Sequence, residues 1–181
     1  GKELWKKGLG EVRNEWGYGS SPILHRGKVI LNFGPGDRAF LTALDLKTGK
    51  LLWKYDEPGG PKTLLKGNWG SWCTPIVAKV GGKDQILCSM LTQVVACDLR
   101  TGARLWFVEG LAEEKVDLIH ASPVVSAGIG VAFTGWGNGP AIGFKLGGAG
   151  DVTASNRLWL ERQPQRIGSG VVVDGFVYIV N

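Results

Sequence analysis

Glycine at 29 of 181 residues, an eleven-residue segment that recurs in register, and tryptophans returning about every fifty residues predict an all-β chain. The specific expectation is a β-propeller of four-stranded antiparallel blades, with about three and a half to four blades present as part of a larger ring. Glycine is at roughly twice its usual share of ~7%, yet it has no three-residue period, which excludes a collagen helix. Long charged helical stretches are lacking, which argues against a helix bundle.

The repeat is explicit. Ala43-Leu44-Asp45-Leu46-Lys47-Thr48-Gly49-Lys50-Leu51-Leu52-Trp53 returns as Ala96-Cys97-Asp98-Leu99-Arg100-Thr101-Gly102-Ala103-Arg104-Leu105-Trp106, 53 residues later. The tail of the same unit recurs around Trp5 and Trp159, so Trp5, Trp53, Trp106 and Trp159 are separated by 48, 53 and 53 residues. A second motif opens each unit: Ser21-Pro22, Thr74-Pro75, Ser122-Pro123 and the degenerate Ser169-Gly170. Loops vary in length while the unit persists.

Each unit divides into four strands. In the first, Ser21–Leu24 leads through the Arg26-Gly27 turn to Lys28–Asn32, then Phe40–Asp45 and Leu51–Tyr55. Asp45 and Asp98 can accept hydrogen bonds from N–H groups two or three residues on, and Gly49 and Gly102 can take the left-handed conformation. A blade has two apolar faces and cannot cover both alone, so its neighbours must. A tryptophan at the same place in every blade would bury ~150–250 Å² and wedge adjacent blades together. The boundaries expected are one domain over 1–181, with blade units at 20–56, 72–109 and 121–163, and partial strands at 1–7 and 169–181. The chain is read as an excerpt of a larger ring, exposing raw blade faces. The alternative is a small ring in which the strand at 1–7 completes the blade at 169–181.

The A-x-D-x-x-T-G-x-x-x-W signature, present in full at Ala43–Trp53 and Ala96–Trp106, resembles the repeat of the quinoprotein-like (pyrroloquinoline-quinone repeat) propellers. The likeness covers essentially the whole chain. That family includes dehydrogenases that hold the quinone over a calcium ion, and cofactor-free members such as the outer-membrane assembly lipoprotein of the β-barrel machinery. The resemblance implies a periplasmic or extracellular location. The quinone enzymes would need a carboxylate and amide set for calcium and, in many members, a disulfide of adjacent cysteines. Adjacent cysteines do not occur here, and the Asp and Trp of the signature are scaffold residues.

Propeller topology gathers the loops before each first strand, and those joining second and third strands, on one rim. That rim would carry Trp16, Tyr18, Asn32, Asp37, Arg38, Trp69, Trp72, His120, Trp136, Asn138 and Arg166. The four tryptophans outside the repeat all fall there. Tryptophans beside Asn, His, Asp and Arg suit a flat or extended ligand, such as a peptide or a sugar, although tryptophan can also simply plug a wide channel. His120 with Asp117 is too little for a catalytic dyad or a metal site. His25, in the hairpin turn beside Arg26-Gly27, reads as a surface residue.

Composition narrows the rest. The net charge is +5, but the basic residues are scattered without a run of five, which disfavours nucleic acid. No apolar stretch reaches the ~18 residues of a membrane span. Cys73, Cys88 and Cys97 lack a CxxC spacing and read as buried thiols, with a bridge between two of them left open. Gly1 stands where a methionine would begin the chain, and no leader follows it, which fits an excerpt or a processed chain. The expected function is a non-catalytic binding or scaffolding module for a protein or peptide. The alternatives are a fragment of a quinone- and calcium-dependent dehydrogenase and a glycan-binding propeller.

Overall fold

The computed structural model describes residues 1–11, 16–35, 39–57, 70–112, 118–135, 138–164 and 167–180, the side chains of 138, 163 and 164 excepted. The first blade consists of β1 (Ile23–His25), β2 (Lys28–Phe33), β3 (Phe40–Asp45) and β4 (Leu51–Asp56), hydrogen-bonded in that order and antiparallel. A short β5 (Gly70–Ser71) precedes the second blade, made of β6 (Ile76–Val80), β7 (Lys83–Ser89), β8 (Gln93–Asp98) and β9 (Arg104–Glu109). After β10 (Leu118–Ile119) comes the third blade: β11 (Val124–Ser126), β12 (Ile129–Phe133) and β13 (Asn138–Lys145). An excursion through β14 (Gly150–Asp151) and α1 (Thr153–Asn156) then leads to its fourth strand, β15 (Arg157–Pro164). A hairpin of β16 (Val171–Val173) and β17 (Phe176–Tyr178) follows. The fold is therefore all-β and bladed, as the repeat predicts.

The turn chemistry is the same in the first two blades. Asp45 accepts hydrogen bonds from the Lys47 and Thr48 N–H groups and the Thr48 hydroxyl, at 3.0, 2.8 and 2.8 Å. Asp98 accepts from Arg100 N–H, Thr101 N–H and the Thr101 hydroxyl at 3.0, 2.7 and 2.8 Å. These bonds, led by the threonine hydroxyl, hold both carboxyls below the usual aspartate range. Gly49 and Gly102 close the turns at φ +67° and +73°.

The repeat tryptophans occupy one register position. Trp53 stands opposite Ala43, Trp106 opposite Ala96 and Trp159 opposite Gly143, each just beside a β-bulge. A small partner leaves room for the indole, and the bulge twists the outer strand toward the next blade. What each indole then meets differs. Trp5 donates to the Leu46 carbonyl at 2.9 Å and Trp53 to the Leu99 carbonyl at 3.1 Å, each in the Asp-x-x-Thr-Gly turn that follows. Trp106 has no such turn ahead of it, because Lys145-Leu146-Gly147-Gly148 replaces the motif in the third blade. Its indole donates instead to Gln85 Oε1 at 2.8 Å and packs against Phe144. Trp159 lies over Gly143 of its own blade and remains 39% exposed.

Two expectations need correction. Residues 1–7 form no strand, since a fourth strand needs a third beside it and none of the described residues supplies one. They are held through Trp5 and do not join β16–β17, so the small-ring closure is not formed among the described residues. His25 is also more than a surface turn residue. Its Nε2 lies 2.9 Å from Asp84 Oδ2 in the second blade, and Arg26 Nη2 lies 2.7 Å from the same oxygen.

Other seams tie neighbouring blades near the axis. Ser21 N–H donates to the Thr74 hydroxyl, Thr74 N–H to the Ser122 hydroxyl, and Ser122 N–H to the Ser169 hydroxyl, at 3.0, 3.1 and 2.9 Å. β10 pairs in parallel with β5. On the outside, β14 pairs in parallel with β9, so the excursion of the third blade becomes a fifth strand of the second. Beneath these seams one core spans all three blades, from Ile30 and Leu41 through Ile86, Val95 and Trp106 to Ile142 and Phe144. Large exposed apolar side chains occur both in the first blade, at Leu24, Leu51 and Leu52, and toward the C-terminus, at Leu158, Leu160, Val171 and Phe176.

Candidate functional site

The segments that enter first strands converge near the axis. Trp72 is the centre of this convergence. Its backbone N–H donates to the Ile119 carbonyl at 2.7 Å, continuing the β5–β10 ladder, and its indole donates to the Gly17 carbonyl at 2.9 Å. Gly19 lies flat against the same ring, where a Cβ would come within 2.9 Å of it. The ring is thus clamped between the entries to the first and third blades.

Two further rings lie against Trp72. His120 has its ring centre 5.0 Å away, tilted by 32°, and Trp16 is at 5.9 Å and 46°. Gly135 passes so close to His120 that a side chain there would overlap the imidazole. Its N–H donates to the Leu118 carbonyl at 2.6 Å, which holds β10 in place. Together Trp16, Trp72, Leu118, His120 and Ile167 line a cavity of about 590 Å³. Four successive units each contribute at least one wall. Trp72 is buried, whereas Trp16 is 55% exposed and stands at the mouth.

Of the residues expected on the rim, Trp16, Trp72 and His120 are brought together. Tyr18 packs instead on Phe33, with ring centres 5.4 Å apart. Asn32 does not reach the cavity. It is buried and donates from Nδ2 to the Ser71 carbonyl, the Ser71 hydroxyl and the Cys73 carbonyl, at 3.1, 3.0 and 3.3 Å. It fastens the first blade to the second. Asn138 opens β13 opposite Pro164. Asp37, Arg38, Trp69, Trp136 and Arg166 lie outside the described residues. Leu118 and Ile167 were not singled out from sequence, although each is an apolar residue in an entry segment that otherwise carries charge.

A carboxylate also sits at the seam between the first two blades. Glu57 accepts a hydrogen bond from Leu91 N–H, and burial pushes its carboxyl up to about 7. It lies just beyond β4, where the Glu57 N–H donates to the Ala39 carbonyl at 3.1 Å.

The described residues offer no ligand set for a quinone held over calcium. Among the described residues no three His, Cys, Asp or Glu side chains gather as a metal site would require. Cys73 and Cys88 are close in space but fully buried, so they offer no face to a flat cofactor.

Stacked entry segments, Asp-x-x-Thr-Gly turns and tryptophan wedges define a propeller of the quinoprotein-like class. The family of outer membrane protein assembly factor BamB matches residues 1–181, and the chain belongs to that family. Two solved structures share the fold. BamB from Moraxella catarrhalis superposes with a TM-score of 0.54 at 20% identity, covering 80% of this chain and 37% of that one. The quinohemoprotein alcohol dehydrogenase ADHIIG from Pseudomonas putida HK5 gives 0.55 at 24% identity, covering 81% and 20%. The chain thus spans 37% and 20% of the lengths of these two proteins. No curated protein matches it.

Proposed function

We propose that this propeller is a non-catalytic scaffold that grips a protein or peptide partner through the cavity around Trp72. The observation that carries this reading is the convergence of Trp16, Trp72, Leu118, His120 and Ile167 from four successive units. A concave, mostly apolar site of this size accepts one or two side chains of an extended segment, and aromatic walls supply contact area at little entropic cost. Trp72 is fixed in advance by its indole hydrogen bond, so little ordering remains for binding to supply. The family's description as an outer membrane protein assembly factor supports a protein partner and a location outside the cytoplasm.

The test is a fluorescence titration with extended peptides that alternate aromatic and polar residues, as the strands of a membrane barrel do. Trp16→Ala, at an exposed position, is expected to weaken binding at least about tenfold while leaving the urea midpoint in place. Equal affinity in wild type and variant would overturn the assignment. Saturable binding of a soluble oligosaccharide, lost in the same variant, would transfer the site to a glycan.

A further inference from the structure

Three thiols lie in the second blade, and two of them touch. Cys73 stands before β6 and Cys88 within β7, with their sulfurs 3.4 Å apart and both side chains fully buried. Both are free thiols in this structure. Cys73 Sγ also lies 3.2 Å from the Ser89 carbonyl, and the Ser71 hydroxyl donates to that carbonyl at 2.6 Å. The pair therefore sits inside the polar seam that Asn32 closes from the first blade, one residue from Trp72.

A disulfide places its sulfurs at about 2.05 Å, so this pair of reduced thiols in contact stands roughly 1.4 Å from bonding distance. We propose that Cys73 and Cys88 form a disulfide as the chain folds in the presence of a disulfide oxidant, leaving Cys97 as the single thiol. The Cys73 thiolate attacks one sulfur of the external disulfide and expels a thiolate. Cys88 then loses its proton and attacks the Cys73 sulfur of the mixed disulfide, expelling the second thiolate. The two cysteines give up two protons and two electrons, and the external disulfide becomes two thiols.

The timing follows from the packing. In the closed blade neither sulfur is accessible, and the hydrogen bond to Cys73 together with burial holds the Cys88 thiol well above the usual range. Exchange therefore belongs to folding, before β6 and β7 are covered. Burial afterwards shields the bond from reductant. Once the blade has closed, burial pushes the Cys97 thiol up to about 12, so it stays unreactive in the folded chain.

The test refolds the full chain from denaturant with glutathione disulfide, then maps unreduced peptides by mass and titrates thiols in denaturant. The expected result is one linked peptide pair containing Cys73 and Cys88, with Cys97 as the single reactive thiol. Cys97→Ser should retain the link, and Cys73→Ser should abolish it without joining Cys88 to Cys97. Three reactive thiols after oxidative refolding, or a link through Cys97, would overturn the proposal.

Discussion

The indole of Trp53 rests on Gly102 of the next blade. A Cβ at Gly102 would stand 2.6 Å from the ring atoms Cδ2 and Cε3, and Trp5 stands in the same relation to Gly49. The glycine of the repeat thus has two causes, a backbone at φ +73° and the ring above it. The Trp and the Gly of the signature belong together across blades, not within one.

Coupling between them is measurable. Gly102→Ala should cost about 2 kcal/mol or more, and Trp53→Ala about 3–5 kcal/mol, in urea titration. The double variant should cost less than the sum by more than about 0.5 kcal/mol, since removing the ring removes the clash. Strict additivity would contradict the contact.

The wedge tryptophans should differ in worth although they share a register position. Trp106 is fully buried under the excursion and Trp159 is 39% exposed. Trp106→Ala is expected to cost about 3–5 kcal/mol, and Trp159→Ala about 1 kcal/mol. Equal losses would show that Trp159 is covered in solution.

Glu57 should make stability fall as pH rises. Its folded value of about 7 lies above the usual 4.5, so the folded chain keeps a proton that the unfolded chain releases between these values. The favourable contribution is complete below about pH 4.5 and is lost on passing through about pH 7, with an upper size on the order of 3 kcal/mol. Urea titrations at about pH 5 and about pH 7.5 should show this slope in wild type. Glu57→Gln should remove most of it. A slope that survives in Glu57→Gln would place its origin elsewhere.

Asp84 acts with the opposite sign. Its hydrogen bond to His25 and the charge of Arg26 hold its carboxyl below the usual range, so its contribution is present above the unfolded value of about 3.9 and lost as pH falls through the lower folded one. Asp84→Asn should lower the urea midpoint at neutral pH and lessen the loss in acid. An unchanged midpoint would mean the bridge from the first blade to the second contributes nothing.

Local rules made the blades legible. The strand pairs, the Asp45 and Asp98 turns and the left-handed glycines all follow from short-range chemistry, so eleven residues of pattern suffice to place them. The convergence of Trp16, Trp72 and His120 followed from topology, because entry segments of successive blades must meet near one axis. Leu118 and Ile167 were not legible, since an isolated apolar residue in a loop carries no periodicity. Asn32 misled for a related reason: an Asn at a strand end can face solvent or satisfy a neighbouring backbone, and only the packing of Ser71 against it decides. The pairing of β14 with β9 depends on a contact between different blades, which the repeat's own register does not encode.

The hydroxyl chain from Ser21 through Thr74 and Ser122 to Ser169 has a consequence for growth by duplication. Thr74 and Ser122 each give one N–H in one direction and offer one hydroxyl in the other, between Ser21, which donates, and Ser169, which accepts, so the linkage has a head and a tail but no fixed count. A copied blade inserted between any two finds a donor on one side and an acceptor on the other without any residue having changed. Deleting a whole blade leaves the same complementary pair. An inner ring wired this way lets copy number drift while the joint stays constant, and it confines novelty to the loops that surround the axis.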